Sequence, residues 1–249
     1  MNGPYDSGRN FLKANWYLVE NGWESDQSKG VPVPPQEEGP KEGERIIPLI
    51  QAEGLIPRGG SLLDLLRGRK SRRKYSAGNL TLEEFSFLCW AAAGMKKHTA
   101  KYSLRTYPSG GARHPLDLFV HIAKVEGLEP GLYRYLPVEH ALALMRAGKD
   151  AEGMDAALNG QYWNSAAVFV WAAVPYRTEW RYGPVSHKII ALDAGHACQN
   201  LYLACEAIGC GTCAIGAYDQ ERLDALLGLD GKDCFSLYAA PVGRADSNR

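Results

Sequence analysis

The chain has 249 residues, of which 28 are basic and 28 acidic, so its formal net charge is zero. This balance excludes a protein that binds nucleic acid or an anionic membrane over its whole surface, and any anion site must be local. The sequence has no signal-peptide pattern and no run of roughly 18 apolar residues that could span a membrane. We therefore expect a cytoplasmic protein whose six cysteines are reduced thiols.

The first 60 residues differ in composition from the rest. They are rich in proline, glycine and charge and follow neither hydrophobic period, which predicts an extended arm. Trp16, Tyr17, Trp23 and the apolar run 46–50 indicate that this arm lies along another surface. Residues 61–249 are expected to form the folded domain.

Two helix starts follow the arm. Ser61 with Asp64, and Thr81 with Glu84, have the three-residue spacing of a capping box. The second pair precedes an apolar run and predicts a helix that ends at Gly94.

The middle of the chain has the patterns of β-strands. Residues 116–122 alternate between apolar and polar side chains, and the turn GLEPG leads into LYRY, which predicts a hairpin. The continuous apolar run 166–174 is typical of a strand covered on both faces, so we expect it at the centre of a sheet.

The last third predicts two helices and a strand. Residues 192–208 place apolar and small side chains at helical spacing, Asp219 can cap a further helix, and residues 235–242 have the pattern of a strand. Because strands and helices do not alternate regularly, we expect an α+β fold in which helices flank a sheet. The sequence contains no glycine-rich Rossmann or P-loop motif.

Three separated segments could carry chemistry. Residues 67–74 hold six cations, which suit a phosphate group but also a solvated basic face or an RNA-binding patch. Residues 105–115 include two adjacent glycines, whose backbone can approach a ligand closely or make a tight turn. Residues 209–219 have glycines and alanines that expose backbone to a flat ring, while their Cys-x-x-Cys pair also admits a thioredoxin-like or zinc site.

Taken in this order, the three segments resemble the nitroreductase superfamily. The resemblance consists of a basic R-x-S-x-R-x-[FY] segment at 69–75, a P-S-x-G loop at 108–111, and a small-residue helix that leads into a G-x-G turn. The stretches PSGGARHPLDLFV, GLYRY and LYAAPVGR are similar to the SagB/McbC-type dehydrogenase branch. The resemblance covers about residues 45–245.

This resemblance implies a nitroreductase-like α+β fold with a central, mostly antiparallel sheet, and a homodimer with FMN at the subunit interface. The basic segment would hold the phosphate, ribityl chain and pyrimidine edge of the flavin. The P-S-x-G loop would reach the flavin from the other subunit, and the third segment would line the ring. The matching residues, with one further cation near the last strand, are Arg69, Lys70, Ser71, Arg73, Pro108, Ser109, Gly110, Gly111, Arg113, Ala214, Ile215, Gly216, Ala217 and Arg244.

One candidate catalytic residue follows from the same resemblance. In azoline oxidases of this branch, a Lys-Tyr pair before the small-residue helix is associated with proton abstraction. This chain has Arg181-Tyr182 in the comparable segment. A guanidinium group keeps its proton and is a poor base, so Tyr182 alone is the candidate for proton transfer. None of the six histidines lies in a metal-ligand pattern, and no metal is expected.

The expected function is two-electron hydride transfer by an FMN-dependent oxidoreductase, with NAD(P)H reducing a small organic acceptor. The first alternative is an azoline-to-azole dehydrogenase that acts on a modified peptide. The second, of another class, is a non-catalytic flavin-binding scaffold subunit that docks a peptide-modifying partner.

Overall fold

The computed structural model describes residues 3–20, 22–51, 60–99 and 102–246. The strands in chain order are β1 (Arg45–Pro48), β2 (Met95–His98), β3 (Ser103–Arg105), β4 (Leu116–Ile122), β5 (Gly131–Leu136), β6 (Ala141–Ala147), β7 (Ala167–Ala173), β8 (Cys210–Thr212) and β9 (Phe235–Arg244). The helices are α1 (Asp6–Leu12), α2 (Tyr17–Glu20), α3 (Leu62–Gly68), α4 (Leu82–Ala93), α5 (Ala151–Ala157), α6 (Tyr176–Tyr182), α7 (Ser186–Ala207) and α8 (Gln220–Leu227).

Seven of these strands form one sheet in the order β1-β6-β5-β4-β7-β9-β8. All the neighbouring strands of this sheet run antiparallel. Strands β2 and β3 form a separate antiparallel pair. The predicted α+β class, with helices flanking an antiparallel sheet, is confirmed.

Strand β7 lies inside the sheet, between β4 and β9. Phe169 and Trp171 point to the core on one face, which is covered by α4 and α7. Val168 and Val170 point to the core on the other face, which is covered by α5 and α8. The structure therefore confirms that the apolar run 166–174 is a central strand buried on both sides.

The predicted helix starts are also present. The Ser61 and Thr81 side chains each accept a hydrogen bond from the backbone of the acid three residues later, and both capping boxes are complete. Helix α4 ends at Gly94, as predicted. Asp219 caps α8 through the backbone N–H of Arg222.

Helix α7 begins at Ser186, six residues before the predicted start at residue 192. Its first turn mixes polar and apolar residues, so the small-residue pattern that marks the rest of the helix is absent there. Helix α6 was not predicted, because its buried positions include Arg177 and Thr178, which break the apolar period. None of the described helices is both long and apolar enough to cross a membrane.

The described part of the N-terminal arm contacts the rest of the chain, and it contains α1 and α2, so it is not extended throughout as expected. Gln27 donates its backbone N–H to the Trp180 carbonyl, and the Trp180 indole donates to the Val31 carbonyl at 2.9 Å. Further along the arm, β1 pairs with β6 and becomes an edge of the sheet. The arm thus contributes one strand to the fold.

Candidate functional site

The basic segment is held against β8, the strand at the start of the third segment. Ser71 and Thr212 form a parallel β-bridge, and the Arg72 N–H donates to the Thr212 carbonyl at 2.9 Å. Arg72 forms a two-pronged ion pair with Glu206 near the end of α7.

Tyr202, on the last part of α7, joins the two segments. Its hydroxyl lies 3.0 Å from the Ser71 Oγ and accepts a hydrogen bond of 2.8 Å from the Ala214 backbone N–H. The Arg69 guanidinium lies 5.5 Å from the centre of its ring. We call Arg69, Ser71, Tyr202 and Ala214 the Tyr202 cluster. Tyr202 was not among the predicted site residues, since in the sequence it is one large residue of an otherwise small-sided helix.

Apart from Arg72, the cations of the basic segment have no carboxylate partner among the described residues. Arg69, Lys70 and Arg73 form no ion pair within 4.0 Å in that part of the chain, in contrast to Arg72. The Arg73 guanidinium lies 6.0 Å from the ring centre of Trp163, a second aromatic residue that was not predicted to belong to the site. Unpaired guanidinium groups beside aromatic rings are well suited to a phosphorylated, planar ligand.

Within the third segment, Ile215 and Ala217 are held by hydrogen bonds, whereas Gly216 is exposed. Ile215 is buried, and its backbone exchanges two hydrogen bonds with Ala239, at 2.7 and 3.2 Å. The Ala217 carbonyl accepts a hydrogen bond from Gln161 at 2.8 Å. Gly216 is exposed, and no atom lies within 4 Å of where its Cβ would be. The segment therefore offers backbone at residues 214–217, whereas the Ile215 side chain points into the core.

The predicted P-S-x-G loop, residues 108–113, packs on the other end of α7. The Gly110 N–H donates to Asp193 Oδ1 at 3.3 Å, and a Cβ on Gly110 would lie 2.3 Å from Ile189 Cγ2. Gly111 has a φ of +59°, and its Cβ would lie 2.6 Å from the hydroxyl of Tyr182. The loop approaches α7 and Tyr182 so closely that both positions require glycine. We call residues 108–113 the Gly110 loop.

Arg113 anchors this loop inside its own chain. Its side chain is buried, its Nε donates to the Arg177 carbonyl at 2.8 Å, and its guanidinium stacks on Trp180 at 4.8 Å. Burial lowers the pKa of Arg113. Arg177 in turn pairs with Asp117 at 2.6 and 3.0 Å. Arg113 therefore holds the loop through buried contacts. The exposed residues of the loop are Pro108 and Gly111.

Asp193 supports the loop from α7. Its Oδ2 is buried and has no hydrogen-bond partner within the described residues, and burial raises the pKa of this carboxyl. The Ser109 hydroxyl and the Gly110 N–H lower it in part, by hydrogen bonding to the charged form. Ser109 also accepts the backbone N–H of His114 at 2.9 Å, which closes the turn.

Apart from Arg244, the predicted residues therefore belong to two groups that pack against different parts of α7. Asp193, beside the Gly110 loop and Tyr182, precedes Tyr202 by nine residues, which is about 14 Å along an α-helix. Within one chain the Gly110 loop and the Tyr202 cluster do not meet.

Arg244 lies apart from both groups. It is paired with Cys210 at the far end of β8, and its guanidinium forms a two-pronged ion pair with Glu84 at 2.5 and 2.7 Å. Glu84 is the acid of the α4 capping box, so this pair ties β9 to the start of α4.

The Cys-x-x-Cys pair is buried. Cys210 and Cys213 are both free thiols, and burial raises the pKa of Cys210 to about 12. Thioredoxin-like chemistry depends on an accessible thiol with a lowered pKa, so this environment does not favour it. Within the described ranges, no three His, Cys, Asp or Glu side chains are arranged to hold a metal ion.

Comparison with known proteins places this geometry in a family. Residues 66–244 match the model of the nitroreductase family, and the chain therefore belongs to that family of oxidoreductases. A nitroreductase relative from Methanocaldococcus jannaschii is 33% identical over 187 residues, which cover 74% of this chain and 90% of the relative.

Three further comparisons show other proteins to which the chain is similar. The trifolitoxin-processing protein TfxB of Rhizobium leguminosarum bv. trifolii is 27% identical over 139 residues, covering 53% of this chain and 37% of TfxB. A nitroreductase structure from Ralstonia eutropha has a TM-score of 0.68 at 28% identity, covering 84% of this chain and 94% of that one. The Escherichia coli microcin synthetase McbBCD complex shares the fold, with a TM-score of 0.64 at 18% identity over 98% of this chain and 87% of that one. These matches are consistent with the SagB/McbC-type branch.

Proposed function

We propose that this chain is an FMN-dependent oxidoreductase, and that its flavin binds at the Tyr202 cluster. The observation that carries the proposal is the Tyr202 hydroxyl, which joins Ser71 of the basic segment to the open backbone that begins at Ala214, while the Arg69 guanidinium lies over the same ring. Arg69, Lys70 and Arg73 of this segment form no ion pair among the described residues. Like charges held close together repel one another unless an anion lies between them. A phosphate group supplies that anion, and the exposed backbone beside it suits a flat ring.

Each part of the cluster has a role that its chemistry allows. Arg69, Lys70 and the Ser71 hydroxyl would hold the phosphate and ribityl chain, while Gly216 would let the ring lie directly on the backbone. When bound, FMN supplies two-electron hydride chemistry. The fixed charge of Arg73 would stabilise the negative charge that develops on a reduced flavin.

A homodimer would bring the two groups of site residues together. Since the Gly110 loop and the Tyr202 cluster of one chain are about 14 Å apart along α7, the loop of a partner can complete the cluster. Leu192 on α7 and three leucines of α3 are each more than half exposed, and α3 buries none of its residues. Apolar surface of this kind is typical of a subunit interface. The exposed leucines of α3 are Leu62, Leu63 and Leu66.

In the reaction we favour, NAD(P)H donates a hydride and a small organic acceptor takes up a hydride and a proton. Tyr182 would supply the proton, because its hydroxyl lies against Gly111 in the loop that reaches the partner's flavin. Arg181 lies 5.4 Å from the centre of the Tyr182 ring and adds positive charge at the same place.

A visible spectrum of the purified protein, followed by anaerobic titration with NADPH and then NADH, tests this proposal. We expect flavin absorbance at about one FMN per chain and bleaching by one of the two nucleotides. Protein that is colourless and takes up no added FMN would contradict the flavin assignment. It would favour a non-catalytic scaffold subunit.

The similarity to TfxB favours a second candidate, a dehydrogenase that oxidises an azoline ring in a modified peptide to an azole. In that reaction the azoline loses a hydride and a proton, and molecular oxygen takes the electrons from the reduced flavin. The same anaerobic titration separates the two candidates. A flavin that stays yellow with both nucleotides and is bleached by a thiazoline-containing peptide would exclude the reductase and support the dehydrogenase.

A further inference from the structure

Two tryptophans of the N-terminal arm pack on the end of α6, where Tyr182 lies. The Trp16 and Tyr182 ring centres are 6.0 Å apart, and their planes meet at 81°, which is an edge-to-face contact. Gly183 has a φ of +50°, and a Cβ at this position would lie 2.0 Å from Trp23 Cζ2. Trp23 therefore rests directly on the backbone that follows Tyr182.

Polar contacts hold the arm in this place. The Tyr176 hydroxyl donates to Asp26 at 3.0 Å, and Lys188 of α7 donates to the Leu12 carbonyl. The Gln36 side chain donates to the Ala112 carbonyl of the Gly110 loop. The arm is thus attached to α6, to α7 and to the loop, the three elements that surround Tyr182.

These contacts restrict the Tyr182 side chain on several sides. Gly111 lies next to its hydroxyl, and the Arg181 guanidinium lies over its ring. Trp16 makes an edge-to-face contact with the same ring. A tyrosine at the end of a short helix has free rotamers unless neighbours restrict them. Trp16 is 46% exposed, so a large part of its side chain stays accessible while it contacts Tyr182.

We infer that the N-terminal arm is part of the active site, and that Trp16 is a positioning residue that directs the Tyr182 hydroxyl toward the acceptor. Trp23 supports it by holding the backbone at Gly183. This inference rests on the proposed function, because it takes Tyr182 as the proton donor.

The test uses the full chain loaded with FMN, reduced anaerobically with dithionite and mixed rapidly with 1,4-benzoquinone. The quinone takes up a hydride and a proton to become hydroquinone, and the rate of flavin reoxidation reports the step. We expect Trp16→Ala to lower this rate about tenfold with unchanged FMN content, and Trp16→Phe to restore most of it. The control is Tyr17→Ala, since Tyr17 is the neighbouring arm aromatic and has no side-chain hydrogen bond or ring contact among the described residues.

A double-variant cycle separates positioning from a general structural role. If Trp16 acts through Tyr182, then Trp16→Ala should lower the rate less than twofold in a Tyr182→Phe background. Equal effects of Trp16→Ala in both backgrounds would overturn the inference, as would a wild-type rate in Trp16→Ala.

Amide hydrogen exchange of the flavin-free protein tests the positioning role of Trp16 even if the protein binds no flavin. We expect Trp16→Ala to increase amide exchange in residues 108–113 and at the end of α6, and Tyr17→Ala to leave it unchanged. Unchanged exchange in Trp16→Ala would contradict the positioning role. Failure of the wild type to bind FMN would instead contradict the proposed function.

Discussion

The Tyr202 hydroxyl accepts a hydrogen bond of 2.8 Å from the backbone N–H of Ala214, and this contact joins the longest helix of the structure to the turn that would line a flavin ring. The same hydroxyl lies 3.0 Å from the Ser71 Oγ. One side chain therefore sets the distance between the basic segment and the turn. In the proposed site, Tyr202 would therefore affect FMN binding without contributing charge.

Tyr202→Phe removes both hydrogen bonds and keeps the ring under Arg69. We expect FMN affinity to fall about three- to tenfold, since a net hydrogen bond contributes about 0.5–1.5 kcal/mol. Flavin fluorescence titration measures this change. Tyr133→Phe is the matched control, because Tyr133 lies in β5, outside the candidate site, and the change removes a phenol hydrogen bond to the Glu129 carbonyl. Equal affinity loss in both variants would contradict the role of Tyr202.

Gly110→Ala should move the Gly110 loop away from α7. The new Cβ would lie 2.3 Å from Ile189 Cγ2, a distance that no relaxed contact allows. Overpacking of this kind costs about 1–3 kcal/mol in the free energy of unfolding. Urea unfolding of the variant measures the loss, and Gly39→Ala serves as control because no atom lies within 4 Å of its Cβ position. An unchanged midpoint for Gly110→Ala would show that the loop is not held as described.

Arg244→Met tests whether Arg244 stabilises the fold through its ion pair with Glu84 or binds the phosphate of FMN. Its ion pair with Glu84 is partly buried, and both side chains are about a quarter exposed, at 28% and 21%. We expect a loss of about 1–2 kcal/mol of unfolding free energy, between the values for surface and buried pairs. FMN affinity should change less than twofold. A tenfold loss of affinity without a loss of stability would instead support Arg244 as a phosphate ligand.

We expect His114 to make the free energy of unfolding depend on pH. Burial lowers the pKa of His114 to about 4, and the positive charge of Arg105 acts in the same direction. The neutral ring donates from Nε2 to the Ser103 carbonyl at 2.9 Å. Between the unfolded value of 6.5 and about 4, the unfolded chain binds the additional proton. The stability contributed by His114 is therefore full above pH 6.5 and is lost as the pH falls through this window.

The size of this loss is about 3 kcal/mol, from about 1.36 kcal/mol for each unit between the two pKa values. His114→Asn tests it, because asparagine tolerates the φ of +49° at this position and does not titrate. The free energy of unfolding, measured from pH 7 to pH 4, should fall less steeply in the variant than in the wild type. If the free energy of unfolding falls equally with pH in the wild type and the variant, His114 is not the cause of the pH dependence.

The features that were predicted from sequence are local ones. The Thr81–Glu84 capping box joins residues three positions apart, and the alternation of residues 116–122 lies within a single strand. Such patterns depend on nearby side chains, so they can be read without the fold. The run 166–174 was also identified correctly, because burial on both faces requires apolar residues at every position.

The features that were missed depend on contacts between distant parts of the chain. Tyr202 and Ser71 are 131 residues apart in sequence, and neither residue type indicates the other. Helix α6 buries Arg177 because Asp117, 60 residues earlier, neutralises it. The sequence marked the basic segment and the Gly110 loop as separate candidates for a flavin site, and that assignment stays a prediction. The resemblance implied that the loop serves a second subunit, but the distance of about 14 Å between the two groups along α7 could be found only in the structure.

Direct titration of flavin-free protein with FMN tests the central claim, in the wild type, Arg73→Gln and Lys74→Gln. Arg73 lies beside Trp163 in the candidate site, whereas Lys74, next to it in sequence, forms no ion pair or ring contact among the described residues. The account predicts about one FMN bound per wild-type chain, an affinity about tenfold weaker for Arg73→Gln and an unchanged affinity for Lys74→Gln. No saturable binding to the wild type, or an equal loss in both variants, would contradict a flavin site at the Tyr202 cluster.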